Sequence, residues 1–316
     1  MSNQTVPAFF AVDDNYAAYL AVALESLEAN ASTTRDYDII ILCDDLNQEN
    51  RDQLKKFARD NVQISFVSIN DRLKKEITDK GNKLRSDYFT YTIYFRLFIA
   101  ELFPKLDKAI YLDSDTVVLN DIGKLFDTDL GDNLVGAVSD HFIGHNPETM
   151  AYAEKAIGID SQKYINSGVL LMNLKAMRES HFADHFLDLL NQYHFKSLAP
   201  DQDYMNAIAR KRIYYLNPSW NIQISTPLDV TPWLIHYNLF AKPWRYEDCQ
   251  RKEYFWKYAK NTAYYKALTD ELAAMDDKEV ARDQKNQADL IQLAVDTTNK
   301  PDTFAARTKQ GVNIAL

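Results

Sequence analysis

The sequence predicts an α/β fold built on a mixed, mostly parallel sheet. Short apolar runs recur through the first half of the chain, and segments with helical periodicity separate them. This alternation is typical of βαβ units, in which crossover helices cover the faces of a sheet. The length of 316 residues is enough for one large domain of this kind or for two small ones.

The predicted elements follow one another along the chain. Four apolar runs in the first half are predicted strands: residues 8–12, 39–43, 64–69 and 109–112. Three helical patterns fill the gaps between those runs: residues 16–29, 47–59 and 90–103. The second half adds two strands and then two helices: residues 135–138, 164–173, 181–193 and 201–211. We interpret this half as the completion of the same domain.

Beyond Trp244 the strand character is lost, so we expect a domain of residues 1–245 followed by a helical extension of residues 246–316. The polar segment 271–299 is predicted to be helical or partly disordered. Residues 242–268 carry seven Lys or Arg against three Asp or Glu, interleaved with aromatic side chains. Packing against the domain is the favoured interpretation of this stretch, and peripheral contact with a membrane is the alternative.

Composition narrows the classes of function. The formal net charge of -9 disfavours nonspecific nucleic-acid binding, which depends on clustered Lys and Arg. Neither glycine-rich pattern that cradles phosphates occurs, so a metal ion and cationic side chains would have to balance a bound phosphate. Cys43 and Cys249 belong to no metal or redox pattern and are expected to be packing residues. The first 16 residues show neither a secretory signal nor a spanning segment, so we expect a cytoplasmic protein, with the inner face of the cell membrane as the alternative location.

The segment 109–118 contains the clearest chemical signal. An apolar strand runs directly into Asp113 and Asp115, and the apolar run resumes at Thr116. Side chains two apart on a strand point to one side, so both carboxylates share a face. Adjacent carboxylates repel each other unless a cation lies between them, which favours a divalent metal site. The alternative is a turn in which both aspartates accept hydrogen bonds from backbone amides.

A second enzyme class fits the same motif. In phosphohydrolases of the haloacid dehalogenase type, an apolar strand ends in D-x-D-x-[TV], where the first Asp attacks phosphorus and the second handles the proton. Asp113, Asp115 and Val117 satisfy that pattern. The motif follows the first strand in that class, whereas three strand-helix units precede it here. We therefore rank this interpretation second.

Several ordered segments together resemble glycosyltransferase family 8: residues 10–16, Arg96, and residues 111–115, 166–174, 201–203 and 236–244. The resemblance extends from about residue 6 to residue 245. It is closest to bacterial lipopolysaccharide-type α-galactosyltransferases and α-glucosyltransferases. The resemblance implies a single Rossmann-like domain of the GT-A fold and a retaining transfer of a hexose from a UDP-sugar donor.

The resemblance also implies roles for individual residues. One set would bind the donor nucleotide and its sugar: Ala11, Asp13, Asn15, Tyr16, Arg96, Ser114, Asn166, Ser167 and Lys242. A second set would ligate a metal, Mn²⁺ by preference with Mg²⁺ as the alternative: Asp113, Asp115 and His236. A third set would act at the anomeric centre: Asp140, Asp201 and Gln202.

Plainer explanations stand beside some of these roles. Asp13 and Asn15 are favoured helix caps. Arg96 lies in an apolar segment, where a buried cation can pair with an aspartate instead of a phosphate. Asp201 follows a proline at a helix start, where acidic residues are favoured. The amide of Gln202 is a poor nucleophile, so we favour a front-face route over double displacement.

Leu239 departs from the family, which carries a glycine three residues after the metal histidine. Leucine resists positive φ, so the loop over the diphosphate is expected to have a different shape or to contact the diphosphate less closely. The resemblance predicts a transferase that moves galactose, or else glucose, from a UDP-sugar to an acceptor in a bacterial surface glycan or glycoprotein, forming an α-linkage. A non-catalytic glycan-binding protein is the third interpretation, ranked last because the predicted metal ligands and Lys242 are all present.

Overall fold

The computed structural model describes residues 5–44, 46–68 and 91–316. Its strands are β1 (Val6–Val12), β2 (Tyr37–Cys43), β3 (Val62–Ser68), β4 (Ala109–Leu112), β5 (Thr116–Val118), β6 (Val135–Ala137), β7 (Val169–Met172), β8 (Ile213–Tyr215), β9 (Ile222–Gln223) and β10 (Leu234–His236). Its α-helices are α1 (Ala17–Asn30), α2 (Gln48–Lys55), α3 (Ile99–Leu102), α4 (Ile122–Phe126), α5 (His141–His145), α6 (Pro147–Tyr152), α7 (Leu174–Glu179), α8 (Phe182–Tyr193), α9 (Pro200–Ala209), α10 (Lys252–Ala259), α11 (Tyr265–Ala273), α12 (Asp277–Thr298) and α13 (Phe304–Lys309).

The central sheet has seven strands in the order β3-β2-β1-β4-β7-β6-β8. Strand β7 is antiparallel to both of its neighbours, and every other pair is parallel. Alternate side chains face opposite sides of the sheet, so Phe9 and Phe10 enter two different apolar layers. Helix α8 contributes Phe186 to the first layer and α1 contributes Leu24 to the second. The predicted α/β fold with a mixed, mostly parallel sheet is confirmed.

A second sheet of three strands, in the order β5-β10-β9, lies beside the first. Strand β10 is antiparallel to β5 and parallel to β9. The run at Thr116 therefore does not continue β4 within the central sheet. The chain turns at residues 113–115, where Thr116 Oγ1 donates to the carbonyl of Asp113 at 2.9 Å. This turn joins the two sheets.

Two predicted elements differ from the observed ones near the sheet edge. The strand predicted at 164–173 pairs over only Val169–Met172. Before β7 the pairing is reduced to an isolated antiparallel bridge between Ile165 and Ser139, where the backbone amide of Asn166 donates to the carbonyl of Val138 at 2.9 Å. The helix predicted at 90–103 is a 3₁₀ helix over Tyr91–Phe98 followed by the short α3. Residues 69 and 90, predicted as the end of one element and the start of another, lie outside the described residues.

The C-terminal extension is helical and ordered. The segment predicted at 271–299 contains the end of α11 and the whole of α12, separated at Asp276. The Asp276 carboxylate caps α12 by accepting from the amides of Lys278 and Glu279, each at 2.9 Å. Of the two alternatives predicted for this segment, the structure shows the helical one. No helix among the described residues is long and apolar enough to cross a membrane.

The extension shares the apolar layer of the sheet. Phe304 and Ile314 belong to the same buried cluster as Phe9. Two aromatic residues of the basic stretch turn inward, since Trp244 and Phe255 are each 1% exposed, whereas Tyr265 is 44% exposed. This packing is what the favoured interpretation of the stretch predicts. The two cysteines are buried and unpaired, in agreement with packing roles.

Candidate active site

The acidic pair lies at the carboxyl edge of the central sheet. The backbone N–H of Asp113 donates to the carbonyl of Gly168, just before β7, at 2.8 Å. Ser114 Oγ donates to the carbonyl of Ala11, near the end of β1, at 3.0 Å. Strands β1 and β4 pair in parallel, so their carboxyl ends lie side by side. Open α/β sheets bind their ligands at this edge.

Strand β10 brings His236 to the acidic pair. In the small sheet His236 is the partner of Thr116, one residue beyond Asp115. Its Nε2 lies 3.2 Å from Asp115 Oδ1 and 3.6 Å from Asp113 Oδ2. One ligand atom from each of the three residues lies within 4.8 Å of the others. The structure thus brings the three predicted metal ligands together from distant parts of the sequence.

Each carboxylate holds one oxygen away from this cluster. Asp113 Oδ1 accepts from Arg96 Nη2 at 2.9 Å and from the Tyr111 hydroxyl at 3.0 Å. Asp115 Oδ2 accepts from Lys242 Nζ at 2.6 Å. One oxygen of each aspartate and the imidazole therefore remain for a common cation. Two carboxylate oxygens with one imidazole nitrogen form a donor set that can hold a divalent metal ion.

Gly168 leaves the space in which the cluster forms. A Cβ atom at this position would lie 2.2 Å from His236 Cε1 and 2.6 Å from Asp113 Oδ2. Such contacts are far inside van der Waals distance, so any side chain would displace the ligands. The sequence analysis assigned no role to Gly168. Its position just before a buried strand gave no signal of its own, because the histidine that it faces is remote in sequence.

Arg96 is buried against the acidic pair. Its Nε lies 3.2 Å from Asp201 Oδ2, and its guanidinium lies 4.3 Å over the ring of Tyr111. Burial works to lower the pKa of Arg96, but Asp113 and other neighbouring groups hold it above its ordinary value. The ion pair with aspartates, given above as the plainer explanation, is what the structure shows. Arg96 also lines the cleft described below.

The pKa values of Asp115, which pairs with Lys242, and of Asp201, which pairs with Arg96, are shifted in opposite directions. Burial works to raise the pKa of Asp115, but Lys242 and His236 outweigh it and hold the pKa below its ordinary value. Burial raises the pKa of Asp201, and Arg96 opposes this only in part. Asp115 is therefore an anion in the absence of a ligand.

A network of polar side chains adjoins the cluster. Gln202 Oε1 accepts from the backbone N–H of Ser167 at 2.9 Å, and Gln202 Nε2 donates to Asp140 Oδ2 at 3.1 Å. Asn166 Nδ2 donates to the same Asp140 oxygen at 2.9 Å. Ser167 Oγ donates to Asp201 Oδ2 at 2.9 Å. These bonds fix which end of the Gln202 amide faces each neighbour.

Four of the residues predicted to bind the donor, Ala11, Asp13, Asn15 and Tyr16, lie at the end of β1 or just after it. Ala11, Asp13 and Tyr16 line the cleft, whereas Asn15 is exposed and is not among its lining residues. Asp13 also caps the 3₁₀ helix Asp14–Tyr16, because its side chain accepts from the Tyr16 amide at 3.2 Å. The capping explanation of Asp13 is therefore observed alongside its place in the cleft.

The loop after β10 keeps the conformation that a glycine would adopt. Leu239 has φ of 61°, in the left-handed region. Leu239 thus adopts positive φ despite its Cβ atom, and the expected difference in loop shape stays a prediction. The side chain packs against the apolar layer and lines the cleft, which holds it in place. Lys242 follows in the same loop and donates to the carbonyl of Tyr237 as well as to Asp115, both at 2.6 Å.

All the predicted site residues except Asn15 line one cleft of about 320 Å³. Several apolar residues and one amide that line the cleft were not predicted from the sequence: Ile93, Phe142, Ile143, Leu198, Ala199, Leu290 and Asn238. Asn238 is 7% exposed, and its Oδ1 has no hydrogen-bond partner within the described part of the chain. It lies two residues after His236, and that spacing was the one signal that could have pointed to it.

Comparison with known proteins decides the family. The profile described as glycosyl transferase family 8 matches residues 7–248. The chain belongs to glycosyltransferase family 8. It is therefore a member of a family of sugar-transferring enzymes, as the resemblance predicted, and the phosphohydrolase interpretation of Asp113 and Asp115 is set aside.

Family 8 relatives align over most of this chain. A putative glycosyltransferase of Haemophilus influenzae is 29% identical over 229 residues, which are 72% of this chain and 65% of that protein. The lipopolysaccharide 1,2-glucosyltransferase of Escherichia coli is 26% identical over 299 residues, 88% of this chain and 80% of that protein.

Solved structures confirm the GT-A fold of this family 8 member. The galactosyltransferase LgtC, in complex with donor and acceptor sugar analogues, is 30% identical with a TM-score of 0.70, covering 83% of this chain and all of that one (100%). The bifunctional glycosyltransferase WbbM is 25% identical with a TM-score of 0.72, covering 87% of this chain and 52% of that one. This chain thus spans about half the length of WbbM.

Proposed function

We propose that the protein transfers a hexose from a UDP-sugar to a saccharide acceptor with retention, forming an α-linkage. Galactose is the favoured sugar and glucose the alternative, and the acceptor would belong to a bacterial surface glycan or glycoprotein. The observation that carries the proposal is the Asp113, Asp115 and His236 cluster, which adjoins both a cationic loop and a network of short polar side chains. A sugar diphosphate needs all three: a metal site and a cation for its phosphates, and polar side chains for its sugar.

The cluster fits the divalent metal that the proposal requires. Asp113, Asp115 and His236 would hold Mn²⁺, or else Mg²⁺, and Gly168 leaves room for the ligands to meet. When bound, the metal would act as a Lewis acid on the leaving diphosphate. Lys242 and Arg96 hold the outer oxygens of the two aspartates and so orient the pair. Lys242 would also serve as a point charge for the diphosphate.

The donor would lie along the cleft from β1 to α9. Ala11, Asp13 and Tyr16 would hold the uridine, because an aromatic face and directed hydrogen bonds suit a neutral planar base. Asn15 stays a prediction for the same end. Ser114 Oγ is bonded to the Ala11 carbonyl and so ties the uridine end to the acidic pair.

The sugar would meet the network around Gln202. Asp140, Asn166, Ser167 and Asp201 are all at most 6% exposed, and short polar side chains can distinguish the orientation of a hydroxyl group. Their mutual hydrogen bonds fix these groups before the donor arrives.

The same network argues against a covalent intermediate. A double displacement needs a carboxylate free to attack the anomeric carbon. Asp201 is paired with Arg96 and Ser167, and Asp140 accepts from Gln202 and Asn166. We therefore infer a front-face route in which the leaving phosphate takes the proton of the acceptor and Gln202 stabilises the positive anomeric centre. A solved LgtC structure carries a glutamate in place of an active-site glutamine, and Gln202 is the glutamine among the lining residues of this cleft.

The proposal is tested by product analysis. The protein is incubated with Mn²⁺, a mixture of glycan acceptors and either UDP-galactose or UDP-glucose, and the product is examined by proton NMR. We expect one donor to be consumed preferentially and the new anomeric proton to show the small coupling of an α-linkage. A β-linked product, or a glycosyl group trapped on the native protein, would contradict the proposed route. Binding of UDP-sugar without any turnover would favour the non-catalytic interpretation.

A further inference from the structure

The loop that carries Lys242 is held from behind by the C-terminal extension. Asp283, on α12, accepts from Arg245 Nε at 3.0 Å and from the Tyr246 hydroxyl at 2.8 Å through the same oxygen, Oδ2. Arg245 Nη2 also lies 3.3 Å from Glu279, one turn earlier on the helix. Helix α12 lies outside residues 7–248, the part that matches the family profile.

Arg245 and Tyr246, which Asp283 contacts, are themselves hydrogen-bonded to Lys242. The backbone N–H groups of Arg245 and Tyr246 donate to the carbonyl of Lys242 at 3.0 and 2.9 Å. Lys242 Nζ then reaches Asp115 Oδ2 at 2.6 Å. A continuous set of hydrogen bonds therefore runs from Asp283 through one turn of backbone to the acidic cluster.

The ion pair is screened from solvent. Asp283 is 8% exposed, and the Arg245 side chain is 19% exposed. Burial works to lower the pKa of Arg245, but Asp283 and Glu279 raise it above its ordinary value, so the guanidinium remains charged. Removing one partner of such a pair leaves the other charge without compensation, which is costlier than breaking a surface pair.

We propose that Asp283 is a positioning residue, which holds the loop of residues 242–246 so that Lys242 meets the diphosphate of the donor. The proposal rests on the proposed function for the identity of that ligand. Asp283 is not one of the described residues that line the cleft. Its effect therefore passes through Arg245, Tyr246 and Lys242.

The test compares UDP affinity in matched variants. Asp283→Ala removes both contacts, Asp283→Asn removes the charge and keeps an acceptor for Tyr246, and Asp289→Ala removes an exposed carboxylate from the same helix. In the presence of Mn²⁺, we expect Asp283→Ala to raise the Kd of UDP and the donor KM about tenfold, the effect of weakening one charge-assisted hydrogen bond to a phosphate. Asp283→Asn should have a smaller effect, and Asp289→Ala none. The acceptor KM should stay unchanged in all three.

A second measurement, amide hydrogen exchange, is made without nucleotide. Hydrogen exchange of the amides of Arg245 and Tyr246 should be faster in Asp283→Asn than in the wild type and in Asp289→Ala. If exchange is faster in Asp283→Asn but the wild type does not bind UDP, the result would contradict the proposed function and still support the positioning of the loop by Asp283. Unchanged exchange, or a fall in thermal stability with unchanged UDP affinity, would overturn the positioning role.

Discussion

Charge compensation governs the acidic cluster at the scale of single residues. Arg96 and Lys242 each bind the oxygen that faces away from the cluster, and His236 faces the other oxygens. Arg96 and Lys242 thus offset the negative charge of the two aspartates. A donor diphosphate would bring negative charge of its own, so we infer that metal and nucleotide bind more tightly together than apart.

Gly168 gives the first prediction. In Gly168→Ala the new Cβ would lie 2.2 Å from His236 Cε1, so the imidazole must leave its place beside the aspartates while its backbone stays paired in the small sheet. We expect the affinity for Mn²⁺, measured by electron paramagnetic resonance, to fall about 10- to 100-fold, as it does when groups that orient metal ligands are lost. Gly144→Ala is the control, because its nearest neighbour would lie at 3.4 Å. Equal Mn²⁺ affinity in both variants would refute the steric argument.

Leu239 gives a prediction about stability. A non-glycine residue in the left-handed region costs about 1 to 2 kcal/mol. Ala and Gly both remove the leucine side chain, but only Gly relieves this strain. We expect Leu239→Gly to exceed Leu239→Ala in free energy of unfolding by about 1 kcal/mol. Urea unfolding of the two variants measures the difference, and Ala176→Gly in α7, which should lose stability, is the reference for an ordinary helical position. Leu239→Ala proving the more stable of the pair would show that the strain is absent.

At the scale of elements, α9 is anchored by a carboxylate that the chemistry does not use. Asp203 is fully buried and accepts from the hydroxyls of Tyr164 and Tyr152 at 2.5 and 2.8 Å, and from the Leu198 amide at 2.8 Å. These bonds fix the start of the helix that carries Asp201 and Gln202. The anchor therefore connects the stability of α9 to the geometry of the polar network.

Asp203 makes that stability depend on pH. Burial raises its pKa to about 6, although four donors oppose the shift. An aspartate in an unfolded chain has a pKa of about 3.9, so the folded state keeps its proton to higher pH. The contribution of Asp203 to the free energy of unfolding therefore falls between about pH 4 and pH 6, by roughly 2 to 3 kcal/mol. In urea unfolding, the free energy of unfolding of Asp203→Asn should lie below that of the wild type by a smaller amount at pH 7 than at pH 4. A loss that is equal at both values would contradict the raised pKa.

The order of the long elements could be predicted from the sequence, and the short ones could not. Strands β1 and β4 are continuous apolar runs, and β2 is one after Asp38, because both faces of the sheet are covered. Strands β9 and β10 have two and three residues, too few to show a period. His236 could therefore be assigned only through the family resemblance. Gly168 was missed because its role depends on that same pairing of remote segments.

At the scale of the whole molecule, the extension and the sheet share one core. The ring of Phe304 lies 4.0 Å from that of Phe195 and 4.9 Å from that of Tyr204, and Phe304 is 1% exposed. Tyr204 belongs to α9, so this packing reaches the element that carries Gln202. We propose that residues 246–316 fold together with residues 1–245 as one cooperative unit.

Phe304→Ala tests that unit. Truncating a buried phenylalanine costs about 3 to 5 kcal/mol. In a single cooperative unit, we expect far-ultraviolet circular dichroism and tryptophan fluorescence to report one shared unfolding transition at a lower midpoint. Tyr265→Ala, which removes a side chain that is 44% exposed, should leave the midpoint almost unchanged. Two separate transitions in the variant would show that the extension unfolds independently of the sheet.

The release of UDP from UDP-galactose and UDP-glucose tests the central claim most directly. The wild type is compared with Asp113→Asn plus Asp115→Asn, and with Asp132→Asn plus Asp184→Asn as an exposed pair of equal charge. Losing the metal site removes several kcal/mol of transition-state stabilisation, so release should fall about a thousandfold in the first double variant and not in the second. EDTA should abolish release by the wild type, and Mn²⁺ should restore it. Release that survives both EDTA and the loss of the acidic pair would contradict a catalytic role for the cluster.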